Sequence, residues 1–383
     1  MTTKTPFRMS HSCASEARQA ARELHAGVVQ PDMSMVVFFC SSDYDLDVLA
    51  DELNQLFGSV PVIGCTTAGE IGSAGYRAQS LSGVSFSAHA GAAVAGCLPD
   101  LQHFDPRRGQ EFVHGLLHDL DSHLAKGARA FALLLIDGLS VREEPVVRVL
   151  QGALGSIHLC GGSAGDDLKF SSTKVFHDGA FRDNSAVLLL VSTPLPMRIF
   201  KTQHFVSENE RLVVTDADAE NRIVKEINGL PAAEEYARVL GVSVADLTPD
   251  HFAATPVVVV LDGTDYVRSI QKANPDGTLT FYCAIEDGIV LRVARGGDIY
   301  SNLEQAFDNV RQEIGPPALT LGCDCILRNL EITQKQLKGK IGELFQRNNT
   351  VGFSTYGEQF GGVHVNQTFT GIAIGAAPED KHD

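Results

Sequence analysis

The amino-acid sequence predicts a layered α/β (α+β) sandwich built from repeated β-α-β-hairpin units. Strand-like apolar runs alternate with segments of helical periodicity, and one order of elements occurs in register near each end of the chain. A looser third copy lies between them. The chain has 383 residues, of which 44% are hydrophobic and 20% charged, which is enough for two domains or for one domain with an internal duplication.

The first copy begins after an amphipathic helix predicted over 12–27. The apolar run Met35 to Cys40 predicts a strand, and the leucines between Leu46 and Phe57 predict a helix. The glycine turn GCTTAGE follows at 64–70, and a hairpin leads to the return strand LSGVSFSA at 81–88.

The C-terminal copy repeats this order: a strand at 318–326, a helix from Leu327 to Phe345, the turn GFSTYGE at 352–358 and a return strand at 370–376. The spacings agree without gaps: Leu56 to Gly64 and Leu344 to Gly352 are each eight residues, and Gly69 to Gly83 and Gly357 to Gly371 are each fourteen. This agreement indicates an internal repeat.

The middle copy is predicted from the strand FALLLIDGL at 131–139, a helix from Glu143 to Leu154 and the turn GGSAGDD at 161–167. Its return strand is AVLLLVST at 186–193. In this copy Gly165-Asp166 is predicted to take the place of the Gly-Glu pair.

A different region begins after the middle copy. Residues 201–241 predict two strands joined by an acidic turn and then a helix opened by Pro231. Further strands are predicted at 256–261, 266–270, 279–285 and 289–293. The predicted organisation is an N-terminal helix and extension (1–33), a first domain (34–230), a second domain (231–377) and a tail (378–383).

The charge of the chain restricts its partners. The formal net charge is -16, and no basic run is present, so we expect neither nucleic acid nor an anionic membrane as a partner. No run of 18 apolar residues exists, and residues 1–30 lack the apolar centre of a signal peptide, which favours a cytoplasmic protein. A homo-oligomer is compatible with the sequence.

The glycine turns carry the carboxylates Glu70, Asp166 and Glu358. In one interpretation these residues only cap the turns and satisfy backbone N–H groups. In the other, equivalent strand ends converge and the carboxylates line a ligand pocket. The turns lack the Gly-Lys-Ser/Thr ending of a phosphate-binding loop.

Cys323 and Cys325 form a C-x-C pair, which cannot close an ordinary disulfide. The pair is able to supply thiolates to a metal, with Cys40 as the nearest further cysteine by repeat logic, or to be one buried and one loop cysteine. A catalytic cysteine needs a base and an oxyanion site, and the sequence identifies neither.

Histidines provide other candidate ligands. His114, His118 and His123 lie on a predicted helix, and solvated helix surface explains them better than a metal pair. His204 lies between Phe200 and Phe205 at the junction of the two halves, which suits a haem ligand as well as a satisfied core histidine. His364 is the second candidate.

Several motifs resemble a known family: VIGCTTAGEIG (62–72), LCGGSAGDD (159–167), VTDADAENRIVKEINGLPAAEEYARVLG (214–241), GCDCILR (322–328) and FSTYGE…HVNQTFTGIAIG (353–375). They are similar to the FIST N and FIST C modules, which are paired sensory domains of bacterial signalling proteins. The resemblance runs from about Ser34 to Ala376. It implies an intracellular ligand-sensing protein without catalytic activity.

Within that family, the segment KTQHF resembles stand-alone haem-containing nitric-oxide sensors. The resemblance implies haem b held by His204, nitric oxide as the ligand, and a signalling histidine kinase in trans as the partner. Two alternatives stay open. One is a sensor of a small organic ligand such as an amino acid, with Glu70, Asp166 and Glu358 facing its amine. The other is an enzyme that uses Cys323 or Cys325.

Overall fold

The computed structural model describes residues 5–121, 128–261 and 264–376. The predicted tail at 378–383 and His123 lie outside the described residues. Within them the chain folds into a mixed α/β structure with three related units and one inserted sheet.

The first unit combines strands and two helices in the order β1 (Phe7–Ser12), α1 (Ala17–Val28), β2 (Met33–Ser41), α2 (Leu46–Phe57), β3 (Val62–Thr67), β4 (Glu70–Gly72), β5 (Gly75–Arg77) and β6 (Leu81–Ser87). Helix α2 begins where Asp45 accepts a hydrogen bond from Val48 N at 3.1 Å, and it ends at Gly58, whose φ is 56°.

The second unit has the same order: β7 (Ala92–Pro99), α3 (Pro106–Asp121), β8 (Arg129–Ile136), α4 (Glu143–Leu154), β9 (His158–Ser163), β10 (Val175–His177), β11 (Ala180–Arg182) and β12 (Ser185–Thr193). The predicted helix from Glu143 to Leu154 is confirmed with both bounds. His114 and His118 are exposed on α3.

The third unit starts with β13 (Met197–Thr202) and is interrupted by the inserted sheet. That sheet and its helices comprise β14 (Phe205–Asp218), β15 (Ile223–Ile227), β16 (Leu230–Pro231), α5 (Ala232–Leu240), α6 (Pro249–Ala254), β17 (Val257–Leu261), β18 (Thr264–Arg268), β19 (Ile270–Ala273), β20 (Leu279–Phe281) and β21 (Val290–Gly296).

The third unit resumes with α7 (Ile299–Ile314), β22 (Pro317–Cys325), α8 (Ile326–Gln334), α9 (Lys338–Arg347), β23 (Thr350–Thr355), β24 (Glu358–Phe360), β25 (Val363–Val365) and β26 (Phe369–Gly375). The single helix predicted from Leu327 to Phe345 is wrong. It is divided between α8 and α9 near Gln336, whose backbone has a left-handed φ of 57°.

The three units exchange their hairpins in a closed cycle. The sheet orders are β1-β6-β2-β3-β10-β11, β7-β12-β8-β9-β24-β25 and β13-β26-β22-β23-β4-β5. Each unit therefore adds its own hairpin to the sheet of another unit, and the three sheets form a pseudo-threefold arrangement. The predicted repeat is confirmed, including the looser middle copy, whereas the exchange was not predicted.

The inner faces of the three sheets share one apolar core, which includes Phe39, Leu135 and Phe353. The outer face of each sheet is covered by its own helices: α1 and α2 on the first, α3 and α4 on the second, α7 and α9 on the third. The first strand of the chain, β1, pairs with β6, so residues 7–28 belong to the first unit.

The inserted sheet runs in the order β18-β17-β21-β14-β15-β20-β19 and has its own core with α5 and α6. Residue 230, the predicted end of the first domain, lies within the inserted structure, between β15 and α5. The chain enters the insertion after β13 and leaves it before α7. Both chain connections between the inserted sheet and the rest of the molecule are therefore in the third unit.

Candidate functional site

The three glycine turns lie together at the carboxyl ends of β3, β9 and β23. Backbone hydrogen bonds connect the turns in pairs: Ala68 N to Ser354 O (3.0 Å), Gly165 N to Thr66 O (3.0 Å) and Ser163 N to Gly357 O (2.8 Å). The structure thus brings the predicted strand ends together, as expected for related units around one axis.

Glu70 and Glu358 are fully buried within this arrangement. Glu70 accepts hydrogen bonds from Ser80 N (3.0 Å) and Oγ (2.6 Å), and Glu358 accepts from Thr368 N (3.2 Å) and Oγ1 (2.7 Å). Burial raises the pKa of Glu70 to about 7 and that of Glu358 to about 8. Each carboxyl group fixes its own hairpin to the following strand, and neither lines a cavity described below.

Asp166 does not occupy the position that corresponds to these two residues. Glu70 and Glu358 are the first residues of β4 and β24, and the corresponding strand β10 begins at Val175. The predicted equivalence of Gly165-Asp166 with the Gly-Glu pairs is therefore wrong, because the middle unit has a longer connection between its turn and its hairpin.

Asp166 instead organises that longer connection. Its carboxylate accepts hydrogen bonds from the backbone N–H groups of Phe170 (3.0 Å), Ser171 (2.7 Å) and Ser172 (2.9 Å), and from the hydroxyl of Tyr356. Burial alone would raise the pKa of Asp166, but these donors hold it below its usual value. The Phe170 ring stacks on Tyr356 with centroids 5.0 Å apart.

A cleft lies between the second unit and the inserted sheet. Its larger cavity measures about 620 Å³, and its lining includes Arg142, Glu144, Arg148, Arg222, Arg268, Cys283, Ala284 and His364. A smaller cavity of about 110 Å³ adjoins it, and both are lined by Val141 and Arg222. The smaller cavity also has the rings of Phe170, Tyr282 and Tyr356 in its wall.

Arg222 of the inserted segment connects the two sides of the cleft. Its Nη2 atom lies 2.6 Å from the carboxylates of both Glu143 and Glu144, which begin α4, and Nη1 donates to Tyr282 O at 2.9 Å. The Arg222 and Glu143 side chains are only 8% and 1% exposed. Breaking a buried pair of this kind typically costs about 3–5 kcal/mol, so these contacts hold the insertion against the second unit.

Glu144 is held on both sides as well. Its second oxygen accepts a hydrogen bond from Ala284 N at 2.7 Å. Burial alone would raise the pKa of Glu144, but the Arg222 guanidinium and the N–H of Ala284 hold it well below the usual range. Glu144 therefore stays ionised at neutral pH.

Arg148 and Arg268 differ from Arg222 because no carboxylate neutralises them among the ion pairs of the described residues. Arg148 is exposed at the rim, and Arg268 is partly buried and donates to the carbonyls of Val267 (3.3 Å) and His364 (3.4 Å). The cleft thus has two guanidinium groups that no carboxylate neutralises among the described ion pairs, although Glu144, Glu220 and Glu286 also line it.

A larger cavity, about 790 Å³, lies where the first and second units meet, and it is lined by Leu53, Phe57, Ile63 and neighbouring residues. Its acidic lining residues Asp119 and Asp178 are exposed. The cleft at the inserted sheet is the better candidate because convergent buried polar groups are typical of ligand sites.

The comparisons with known proteins agree with this organisation. Residues 34–230 match the FIST N domain, and residues 232–361 match the FIST C domain. The chain belongs to the FIST family. FIST domains are sensor domains of signal transduction. No curated protein matches the chain.

The FIST C match begins two residues beyond the end of the FIST N match and includes most of the inserted sheet and the third unit's β22 and β23. The cleft of this FIST protein is therefore built from both domains. No helix in the described ranges has the length and apolar character needed to cross a membrane.

His204 lies outside the cleft, at the base of the inserted sheet. Its ring is 1% exposed, Nε2 donates to Glu331 at 2.8 Å, and Arg328 Nη1 donates to Nδ1 at 3.3 Å. Gly297 N donates to His204 O at 2.7 Å, so the two connections to the inserted sheet meet at this residue.

The surroundings of His204 do not fit a haem. Iron coordination needs a free imidazole nitrogen beside a flat cavity, and here both nitrogens are engaged. The Phe205 ring packs against His204 with centroids 4.3 Å apart, whereas Phe200 packs against Phe307 and Phe369 under α7. The three residues do not enclose one pocket.

His364 lines the cleft but is also engaged at both ring nitrogens. Gln359 Nε2 donates to Nδ1 of His364 at 3.3 Å. The Nε2 atom of His364 in turn donates to Tyr282 O, also at 3.3 Å. Burial lowers the pKa of His364, so the neutral ring is favoured. His364 is thus a wall of the cleft and not an open metal ligand.

Cys323 and Cys325 are both buried, and burial raises the pKa of each thiol well above its usual value. Across 5–121, 128–261 and 264–376, no three His, Cys, Asp or Glu residues are grouped to hold a metal ion. A thiolate that acts as a nucleophile or ligand is therefore not favoured at this pair.

Sequence reasoning missed Arg222, Arg268 and Glu144. Arg222 lies within the 214–241 motif, but the sequence assigned it no role, and Arg268 and Glu144 belong to no motif. The cleft forms only when the inserted sheet packs against α4. One signal was present: the adjacent Glu143 and Glu144 begin a predicted helix, and their burial requires a cationic partner elsewhere in the chain.

Proposed function

We propose that this FIST protein is a non-catalytic sensor that binds a small organic molecule in the cleft between the second unit and the inserted sheet. The observation that supports it best is the 620 Å³ cavity, whose walls come from both parts and whose polar groups converge on it. Ligand sites are typically about 300–1,000 Å³ and often lie between domains.

The position of the cleft suggests how binding is reported. Arg222 belongs to the inserted segment, and its partners Glu143 and Glu144 belong to the second unit. A ligand that contacts both walls changes the free energy of this junction and so biases the position of the inserted sheet. A tenfold change in partner affinity needs only about 1.4 kcal/mol of differential binding.

The resemblance to haem nitric-oxide sensors implies a different ligand, haem b at His204. The packing of His204 against Glu331 and Arg328 supports a structural role for this histidine and favours the organic ligand. A signalling histidine kinase in trans stays part of the proposal as the partner class that the resemblance implies.

The test is a thermal-shift screen of the full chain against a panel of metabolites, followed by isothermal titration of each compound that raises Tm. We expect at least one compound to bind, and Arg268→Gln to weaken binding while the exposed control Arg107→Gln does not. Binding that is identical in all three proteins would contradict a ligand site in the cleft.

A further inference from the structure

The two adjoining cavities of the cleft have opposite chemical character. The larger one is lined by four arginines, and the smaller one is lined by four aromatic residues, Phe170, Phe281, Tyr282 and Tyr356. They meet at Val141 and Arg222, so one molecule can contact both. The identity of the ligand can be argued from these two ends.

The larger cavity brings four arginines together in an acidic protein whose formal net charge is -16. Arg148 and Arg268 have no carboxylate partner among the described ion pairs, and the buried Nε atom of Arg142 makes no hydrogen bond in the described chain. Glu220 and Glu286 also line this cavity but lie at its exposed rim, with Glu220 3.8 Å from Arg142.

The charge of Arg268 also affects a neighbour outside the cavity. Lys201 lies 4.4 Å above the Tyr266 ring, and burial together with Arg268 lowers the pKa of its ammonium group. Arg268 is thus a charged group at this end that makes no ion pair with a carboxylate among the described residues. A guanidinium group without a carboxylate partner is well suited to bind one, through two parallel hydrogen bonds.

The smaller cavity has the rings of Phe170, Tyr282 and Tyr356 on one side. Phe170 lies 5.0 Å from Tyr356 and 6.4 Å from Tyr282, measured between ring centroids, and it is 38% exposed. An aromatic ring at such an exposed position offers one face to a further planar group.

The loop that holds Phe170 is strained. Asp167, Leu168 and Phe170 have φ values of 59°, 63° and 50°, which are unfavourable for residues other than glycine. Asp166 stabilises this backbone through the hydrogen bonds described above. Strain of this kind costs roughly 1–3 kcal/mol per residue and persists only where surrounding contacts hold the backbone. Such residues occur often at ligand-binding and active sites.

Among the described residues, Arg222 is the only guanidinium group that lines both cavities, and Glu143 and Glu144 neutralise it. It is therefore not the group that selects an anion. The selective charges are those of Arg148 and Arg268, at one end, and the ring surface lies at the other.

We propose that the ligand is an aromatic carboxylic acid, with its ring against Phe170 and Tyr282 and its carboxylate at Arg268. This inference rests on the proposed function and makes it specific. Burying a planar ring contributes affinity, and the charge-assisted hydrogen bonds select acids over neutral analogues.

The test is isothermal titration of the full chain with phenylacetate, 3-phenylpropionate and 4-phenylbutyrate, which differ in the distance between ring and carboxylate. Each acid has two matched controls, the corresponding amide and the corresponding cyclohexyl acid. We expect at least one aromatic acid to bind about tenfold or more tightly than both controls, since each loses one end of the contact.

Variants separate the two ends. Arg268→Gln is expected to reduce the acid to the affinity of its amide, and Phe170→Leu to remove the preference for the aromatic ring over the cyclohexyl ring. If Arg268→Gln does not fold, the exposed Arg148→Gln replaces it, and Arg107→Gln is the matched control that leaves binding unchanged.

The outcomes distinguish this inference from the proposed function. If amides or cyclohexyl acids bind as tightly as the aromatic acids, or if only compounds of other chemistry bind in an Arg268-dependent way, the ligand class is wrong and the sensor role stands. If neither these acids nor the metabolite panel bind, both proposals are overturned.

Discussion

At the scale of single residues, the buried carboxyl groups of Glu70 and Glu358 show how the same side chain can serve structure in place of ligand binding. Their sequence context, a glycine turn at a strand end, is equally compatible with a pocket. Their carboxyl oxygens accept hydrogen bonds from Ser80 and Thr368 and so are already engaged inside the protein. Both groups therefore stabilise the fold in a manner that depends on pH.

The first prediction concerns Glu358, whose folded-state pKa is about 8. Between about pH 4.5 and pH 8 the folded protein keeps a proton that the unfolded chain loses, so wild-type stability falls as pH rises. Glu358→Gln mimics the protonated form. The free energy of unfolding of Glu358→Gln minus that of wild type should therefore increase by about 1–3 kcal/mol between about pH 5.5 and pH 8.

Urea denaturation at both pH values measures this difference. Glu111, which is exposed on α3, provides the control variant Glu111→Gln, and this control should follow the wild type. If Glu358→Gln and wild type change in parallel with pH, the carboxyl group of Glu358 is not protonated in the folded state.

The second prediction concerns His204 and the haem hypothesis. Because Glu331 and Arg328 engage both ring nitrogens, we expect reconstitution with haem to give no Soret band that depends on this residue. Absorption spectra of wild type and His204→Ala, with and without nitric oxide, measure it. A stoichiometric Soret band that shifts with nitric oxide in wild type and is lost in His204→Ala would show that haem binds there.

At the scale of elements, the parallel strands within a unit approach each other closely at glycine positions. Gly352 of β23 lies opposite Gly322 of β22, and an added Cβ at Gly352 would lie 1.9 Å from Gly322 O. Gly161 in the second unit has the same role, with a distance of 2.0 Å to Leu134 O. These glycines are required by the backbone and not by a turn.

The third prediction follows from this contact. Gly352→Ala places a methyl group against backbone that cannot move without breaking the β22–β23 ladder, so we expect a loss of more than about 2 kcal/mol of stability. Gly339 in α9 has open space around its Cα, and Gly339→Ala should be neutral or stabilising by up to about 1 kcal/mol. Thermal unfolding of both variants tests the pair. Equal Tm values for both would show that the close approach at Gly352 does not exist.

Much of the element order was readable from the sequence, because apolar periodicity and glycine spacing are local signals. The middle helix from Glu143 to Leu154 and the paired strands around 201–227 are examples. The break at Gln336 was missed because no glycine or proline marks it. The strand β1 was missed because FRMSHS has little apolar character by itself.

Other features could not be read locally at all. The sheet that a hairpin joins depends on how units pack, and nothing within β4 or β24 specifies a partner in another unit. The cleft depends on the packing of an insertion against a helix about 80 residues away, as the contact between Arg222 and Glu143 shows. The sequence therefore singled out residues that belong to motifs, although several of these residues, such as Glu70 and Glu358, stabilise the fold and do not line the cleft.

At the scale of the whole molecule, three units form a closed core and one inserted sheet is attached to it at His204 and Gly297. The core shares apolar contacts among all three sheets, whereas the insertion has a separate core. An insertion with its own core is suited to move as a body. The ion pairs of Arg222 contribute to its resting position, together with hydrogen bonds such as those from Gln367 to Phe252 O and from Arg268 to His364 O.

The fourth prediction concerns that resting position. Arg222→Gln leaves the buried carboxylate of Glu143 without its partner, so we expect a destabilisation of about 3–5 kcal/mol. The double variant Arg222→Gln with Glu143→Gln should recover part of this loss, which chemical denaturation can measure. If the single and double variants are equally unstable, or if Arg222→Gln is neutral, the bridge does not hold the insertion.

Hydrogen–deuterium exchange of the full chain, with and without the tightest-binding compound of the metabolite panel, tests the sensor proposal most directly. We predict that the compound slows exchange in the cleft, at residues 141–148 and at Ala284, whose N–H donates to Glu144. Exchange around His204 should not be the main site of protection. Protection confined to His204 and residues 297–302, with no change in the cleft, would contradict the account.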